Sequence, residues 1–216
     1  MASIESWFRL PSRLLSRVQS WFYQPQVRMQ FPQSVLREIA ATLPSAPNGY
    51  SIRSHEGKAD LEPWAQLLNE DGGFGPWDGE RIRSELLSQL MTPDSSSLLF
   101  HDDVMVGCSC LVKAPGYVER VGLGMFMYLK PAHRGKRPLS YLLTFRTLTF
   151  CVGMECDRAL LTTDPDRLSA LVIYLSNGGL PVKDSLYSYV QWSRIERRLE
   201  PTLNALARRR ERRAAR

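Results

Sequence analysis

The stretch from Met125 to Leu143, MFMYLKPAHRGKRPLSYLL, constrains the fold of this chain more than any other. Met125, Phe126, Met127, Tyr128 and Leu129 are apolar without strict alternation, as a strand covered on both faces would be. Lys130-Pro131 ends that run, and His133-Arg134-Gly135-Lys136-Arg137 places one small residue and three certain cations before a helix-like sequence. A helix start carries unpaired N–H groups and the positive end of the dipole, so an anion such as phosphate is a natural guest.

The rest of the chain supplies an α/β pattern around this point. Phe31 to Leu43 has helical spacing, and Pro44-Ser45-Ala46-Pro47-Asn48-Gly49 punctuates it. Tyr50–Arg53 predicts a short strand and Ala59 to Leu68 a helix. Asp78 caps a helix running to Leu90. Ser97–His101 and Val104–Val112 form a hairpin, with Asp102 and Asp103 in its turn. Tyr117–Leu129 is a long strand in which Gly122 and Gly124 suit a bulge or a close approach by another group. Leu139–Val152 follows as a helix, then Arg158–Thr162 as a strand, Asp166–Leu175 as a helix and Leu186–Trp192 as a closing strand. The expected class is α/β, a mixed, mainly antiparallel twisted sheet flanked by helices.

The stretch after Leu129 resembles the cofactor-binding segment of the GCN5-related N-acetyltransferases. Their pattern is a strand, a proline, Arg-Gly-x-Gly-x-Gly or a close relative, and then Leu-Leu in a helix. Here it reads Pro131, Arg134-Gly135-Lys136, Arg137-Pro138-Leu139 and Leu142-Leu143, with Arg137 and Leu139 at the second and third glycine positions. A second match lies downstream. That family follows its fifth strand with Asn-x-x-Ala, a helix and a Tyr-x-x-x-Gly-Phe-like ending. Asp166-Arg167-Leu168-Ser169-Ala170 leads here to Tyr174-Leu175-Ser176-Asn177-Gly178-Gly179-Leu180, with Asp for Asn and Leu180 for the aromatic residue.

The resemblance implies an acyl-coenzyme A N-acyltransferase-like fold from Tyr50 through Trp192. It also implies direct transfer of an acetyl group from acetyl-coenzyme A, or another acyl-coenzyme A, to a primary amine on a small molecule or peptide. It places the backbone of Met127 to Leu129 on the pantetheine arm and thioester. The turn of Arg134, Gly135, Lys136, Arg137 and Leu139 would hold the pyrophosphate, and Tyr174 would be the general acid. The core reading of Tyr174 is a half-buried helix aromatic. Glu119, near the start of the central strand, is the first choice of general base, His101 the second; Glu119 suits a solvated ion pair equally well. Phe74 and Trp77, two large rings in the Gly-Pro loop NEDGGFGPWD, either line the acceptor site or cap the core. The alternative to an enzyme is a catalytically degenerate relative acting as an interaction protein, held on a membrane or partner by its terminal segments.

Composition narrows the classes further. A chain of 216 residues fits residues 49–192 as one domain, with a helical extension and linker at 1–48 and a basic helical or disordered tail at 193–216. The net charge of +6 is local: residues 194–216 hold nine arginines against three acidic groups, and everything before them sums to zero. The body is therefore not a nucleic-acid footprint. Residues 207–216 suit a solvated tail, with contact to nucleic acid or anionic lipid less favoured. Residues 3–22 carry an apolar helical stripe with Trp7 and Trp21, with Arg9, Arg13 and Arg17 together elsewhere, suited to packing on the domain or a partner, or to an anionic membrane surface. A homodimer is compatible with either arm. Four scattered cysteines and three dispersed histidines argue for buried thiols and against a disulfide framework, a metal centre or a cysteine nucleophile. With no apolar leader in view, the expected location is cytoplasmic, peripheral to a membrane if residues 3–22 lie on one.

Overall fold

The computed structural model describes residues 26–70, 75–117, 120–135 and 138–214. The chain divides into two compact units, one holding Pro32–Leu160 and the other the residues before and after it.

The larger unit contains strands β2 (Tyr50–Arg53), β3 (Ser96–His101), β4 (Val104–Lys113) and β5 (Val121–Leu129), hydrogen-bonded in that order and antiparallel throughout. Helix α1 (Gln33–Thr42) packs on α4 (Leu139–Gly153), which also lies against β3, β4 and β5. Helix α2 (Lys58–Asn69) packs against β4 and β5. It precedes α3, a helical turn at Gly79–Arg81 that continues as a π turn, Ile82–Leu86, and a 3-10 turn, Leu87–Gln89. The expected single helix to Leu90 is thus irregular, although Asp78 does cap it, accepting from the Arg81 N–H at 2.7 Å.

Two cores explain why these strands are apolar on both faces. Leu98, Cys108, Cys110, Val112 and Tyr128 pack with Trp64, Leu68 and Ile82 from α2 and α3. Leu99, Val106 and Leu129 pack instead with Leu139 and Leu143 of α4. Asp102 and Asp103 both have positive φ, 47° and 64°, which is the tight two-residue hairpin that joins β3 to β4.

In the smaller unit, β1 (Val27–Pro32) pairs antiparallel with the two-residue β7 (Leu180–Pro181), in register Met29↔Pro181. The division between the units falls within strand β6 (Arg158–Thr163), which precedes these two in the order β6-β1-β7. Helix α5 (Leu168–Ser176) contacts α6, which runs from Leu186 to Ala214. The fold class is α/β: seven strands of mixed, mainly antiparallel sheet flanked by helices.

Three expectations change. Val27–Pro32 is a strand with Val27, Met29 and Phe31 buried in strict alternation, a period-2 signal inside a region read only as helix and linker. The long strand before Leu129 starts at Val121, and Ala114 to Tyr117 form a turn closed by the Tyr117 N–H on the Ala114 carbonyl. Leu186–Trp192 is not a closing strand but the first two turns of α6. The β-prone Tyr187, Tyr189 and Val190 are exposed there, whereas Trp192, Ile195 and Leu199 are buried at helical spacing and decide the conformation. Pro201 lies within α6 without ending it.

Candidate active site at the end of the central strand

The site grows from an irregularity in β5. Cys108 of β4 faces Tyr128 and Cys110 faces Met125, so Ser109 alone stands opposite Phe126 and Met127. Phe126 occupies the left-handed region at φ 51°, which makes this a β-bulge. The extra residue reverses the phase of the strand. Leu123 and Met125 lie on the α2 side before it; Tyr128 lies on that side after it, while Leu129 turns to α4. This phase shift, together with burial on both faces, is why the sequence shows no clean alternation.

Side chains hold the bulge from both faces. The Cys108 thiol donates to the Phe126 carbonyl at 3.3 Å and the Cys110 thiol to that of Met125 at 3.7 Å. Thr144 of α4 donates to the Met127 sulfur at 2.8 Å. On the opposite side of β4, Ser109 donates to the Leu143 carbonyl at 2.9 Å and also shares a hydrogen bond with Thr147. Trp77 meets Phe126 edge to face at 5.4 Å, and its backbone is pinned by two 2.8 Å bonds to the Asn69 amide. Trp77 is buried, so the ring both caps the core and lies against the bulge.

Beyond Leu129 the chain makes a 3-10 turn, Pro131–His133, and reaches α4. Arg134 closes that turn by donating from Nε to the Leu129 carbonyl at 2.8 Å, with its guanidinium 5.4 Å from the Tyr128 ring. Gly135 has φ 77°, and a β-carbon there would touch nothing within 4 Å. Pro138, at the N-cap of α4, makes no side-chain capping bond. Leu139 begins the helix with its side chain wholly buried, so only its backbone faces the turn.

A cluster that sequence spacing did not reveal anchors the turn. The Tyr50 hydroxyl and His133 Nδ1 share a hydrogen bond of 2.8 Å. The His101 ring lies 4.4 Å from Tyr50 and 5.1 Å from His133. Tyr50 lies 83 positions from His133 and 51 from His101; β2–β3 pairing sets Tyr50 opposite His101, and the turn after β5 brings in His133. Glu70 at the end of α2 pairs with Lys130 at 2.5 Å and lies 3.5 Å from the Tyr128 hydroxyl.

The larger unit therefore assembles Met127, Leu129, Arg134, Gly135 and Leu139 with Trp77 around one strand end. Tyr174 belongs to the smaller unit, where it is 7% exposed in α5. Burial pushes its hydroxyl up to about 12, against the weaker opposing pull of Arg167, so it stays protonated at neutral pH. Its carbonyl accepts from the Asn177 and Gly179 N–H groups at 3.2 and 3.0 Å, which ends the helix. Phe74, Glu119, Lys136 and Arg137 lie outside the described residues, as do residues 1–25. All four cysteines are free and buried, and burial raises each thiol, Cys108 to about 12. That is the opposite of what a thiolate nucleophile requires. Among the described residues no group of His, Cys, Asp and Glu could hold a metal ion, and no helix is long and apolar enough to cross a membrane.

No family model and no curated protein matches the sequence. Solved structures do match the fold. A GCN5-related N-acetyltransferase from Sphaerobacter thermophilus superposes with TM-score 0.57 at 19% identity, covering 73% of this chain and 48% of that one. A tandem GNAT protein from the clavulanic acid biosynthesis pathway gives TM-score 0.55 at 16% identity, over 72% of this chain and 50% of its own.

The fold is that of the GCN5-related N-acetyltransferases.

A Drosophila protein gives TM-score 0.54 at 12% identity, covering 73% of this chain and 47% of its own. This chain thus spans about half the length of these three structures. At such identities the likeness extends to the backbone and carries no residue roles with it.

Proposed function

We propose that this protein is an acyltransferase that takes an acyl group, with acetyl the first candidate, from acyl-coenzyme A to a primary amine. The observation that carries the reading is local: a bulged central strand runs through a turn of basic sequence into a helix whose N-cap, Pro138, makes no side-chain capping bond. An uncapped helix start beside cations suits a pyrophosphate, and a bulge in a strand suits pairing of backbone groups with an extended amide-bearing arm. In this reading Met127 and Leu129 contribute backbone, Gly135 allows close approach, and Lys136 and Arg137 supply charge. The Nε of Arg134 is committed to closing the turn, so that residue positions the others.

Direct transfer needs a neutral amine, a polarised thioester carbonyl and a proton for the departing thiolate. Tyr174 is the proposed donor, and its burial keeps the proton on the phenol. Glu119 is the proposed base. Phe74 and Trp77 are proposed to border the acceptor.

One observation favours a non-catalytic relative instead. Leu139 stands where the family's third glycine does, and its side chain is anchored in the core. Isothermal titration with acetyl-coenzyme A and with free coenzyme A separates the readings. Saturable binding of both, with release of free thiol when amines are supplied, is expected. Folded protein that binds neither would overturn the enzyme reading.

A further inference from the structure

The exposed face of α6 carries both apolar and cationic side chains. At its start Leu186 is 82% exposed, Tyr187 59% and Val190 40%. Further along are Arg194, Arg197, Arg208 and Arg212, all exposed. With 3.6 residues per turn, Leu186, Val190 and these four arginines fall within an arc of about 80°, flanked by Tyr187 and Arg198. The buried stripe of Trp192, Ile195 and Leu199 occupies the opposite side. Glu196, Glu200 and Glu211 fall outside the arc, and none of the four arginines has an acidic partner among the described residues. The cationic row extends over roughly 27 Å from Arg194 to Arg212, at 1.5 Å per residue.

We infer that this face of α6 docks on an anionic lipid bilayer, with Leu186, Tyr187 and Val190 entering the interface and the arginine row on the headgroups. The inference is independent of any acyltransferase activity. Charge complementarity selects the occupant, because all the net charge of the chain resides in residues 194–216. Exposed aliphatic groups lose their hydration in a lipid interface, whereas a nucleic-acid backbone offers them nothing. Pairing this face with a second copy of itself would set the arginine row against its own like charges.

Full-length protein is sedimented with vesicles of phosphatidylcholine alone and of phosphatidylcholine mixed with phosphatidylserine. Retention is expected only on the phosphatidylserine vesicles, with release in molar salt. Replacing Arg194, Arg197, Arg208 and Arg212 together by Gln should weaken that binding on the order of 1,000-fold. Leu186→Asp with Val190→Asp should weaken it roughly 10-fold. All six side chains are exposed, so unchanged circular dichroism and melting temperature would certify the fold of both variants. No retention, retention that ignores phosphatidylserine, or retention undiminished in both variants would overturn the assignment. So would arginine-dependent binding to duplex DNA that vesicles do not displace, or a vesicle-independent dimer that Leu186→Asp dissociates.

Discussion

A β-carbon on Gly122 would sit 2.6 Å from the Cys151 sulfur and 2.9 Å from Leu111 Cδ1, inside the van der Waals limit for both. The residue is glycine because α4 approaches β5 there, and not because its backbone is unusual. Gly122→Ala should therefore destabilise the protein by about 1–3 kcal/mol through overpacking, read as a lower denaturant midpoint with an unchanged slope. Tyr174 invites a different test. Tyr174→Phe keeps the buried ring and removes only the hydroxyl. If the phenol is the acid, acetyl-coenzyme A affinity stays near the parent value while single-turnover transfer falls ~10–100-fold. Unchanged transfer would leave Tyr174 with its packing role alone.

At the scale of elements, the β5 bulge and the turn after it behave as one device. The thiols of Cys108 and Cys110 hold the strand, and Arg134 and Tyr50 hold the turn, through Leu129 and His133 respectively. Arg134→Ala removes the bond that closes the turn and should weaken coenzyme A binding by about 10-fold, since a charge-assisted hydrogen bond is worth ~1.5–3 kcal/mol. Tyr50→Phe should weaken it less while leaving the global melting temperature within a few degrees, because only a local bond to His133 is lost. Titration calorimetry on both variants checks the ranking; equal affinities for parent and Arg134→Ala would detach that residue from the site. Element type was mostly legible in sequence. The hairpin at Asp102-Asp103, the cap at Asp78 and helix α4 all follow from local chemistry. The strand proposed at Leu186–Trp192 failed because its β-prone residues are the exposed ones, and helical burial of Trp192, Ile195 and Leu199 outweighs propensity.

For the molecule as a whole, acid stability should turn on Asp60, the one buried carboxylate among the described residues. Asp60 in α2 receives both Arg53 amino groups at 2.7 Å and the Glu56 N–H at 2.8 Å. The Arg53 hydrogen bonds, more than the Glu56 N–H, hold its carboxyl below the usual aspartate range despite burial. A depressed folded value means the stabilisation is present above the unfolded value near 4 and is lost as pH falls through the folded one. Asp60→Asn should cost about 2 kcal/mol at neutral pH and flatten the loss of stability in acid, measured by urea unfolding across that range. The sequence alone determined the α/β class, the strand–turn–helix at Met125 to Leu143 and the burial of the cysteines, because these follow from local spacing, turn chemistry and polarity. It also exposed the concentration of charge in the last residues. Only the tertiary structure placed Trp77 against Phe126, put the bulge at Phe126 and not at Gly122 or Gly124, and gathered Tyr50, His101 and His133. Each of those is a meeting of segments distant in sequence, and where two strands pair, register follows from the patterns of both partners together with the turns between them, so neither stretch read alone displays it.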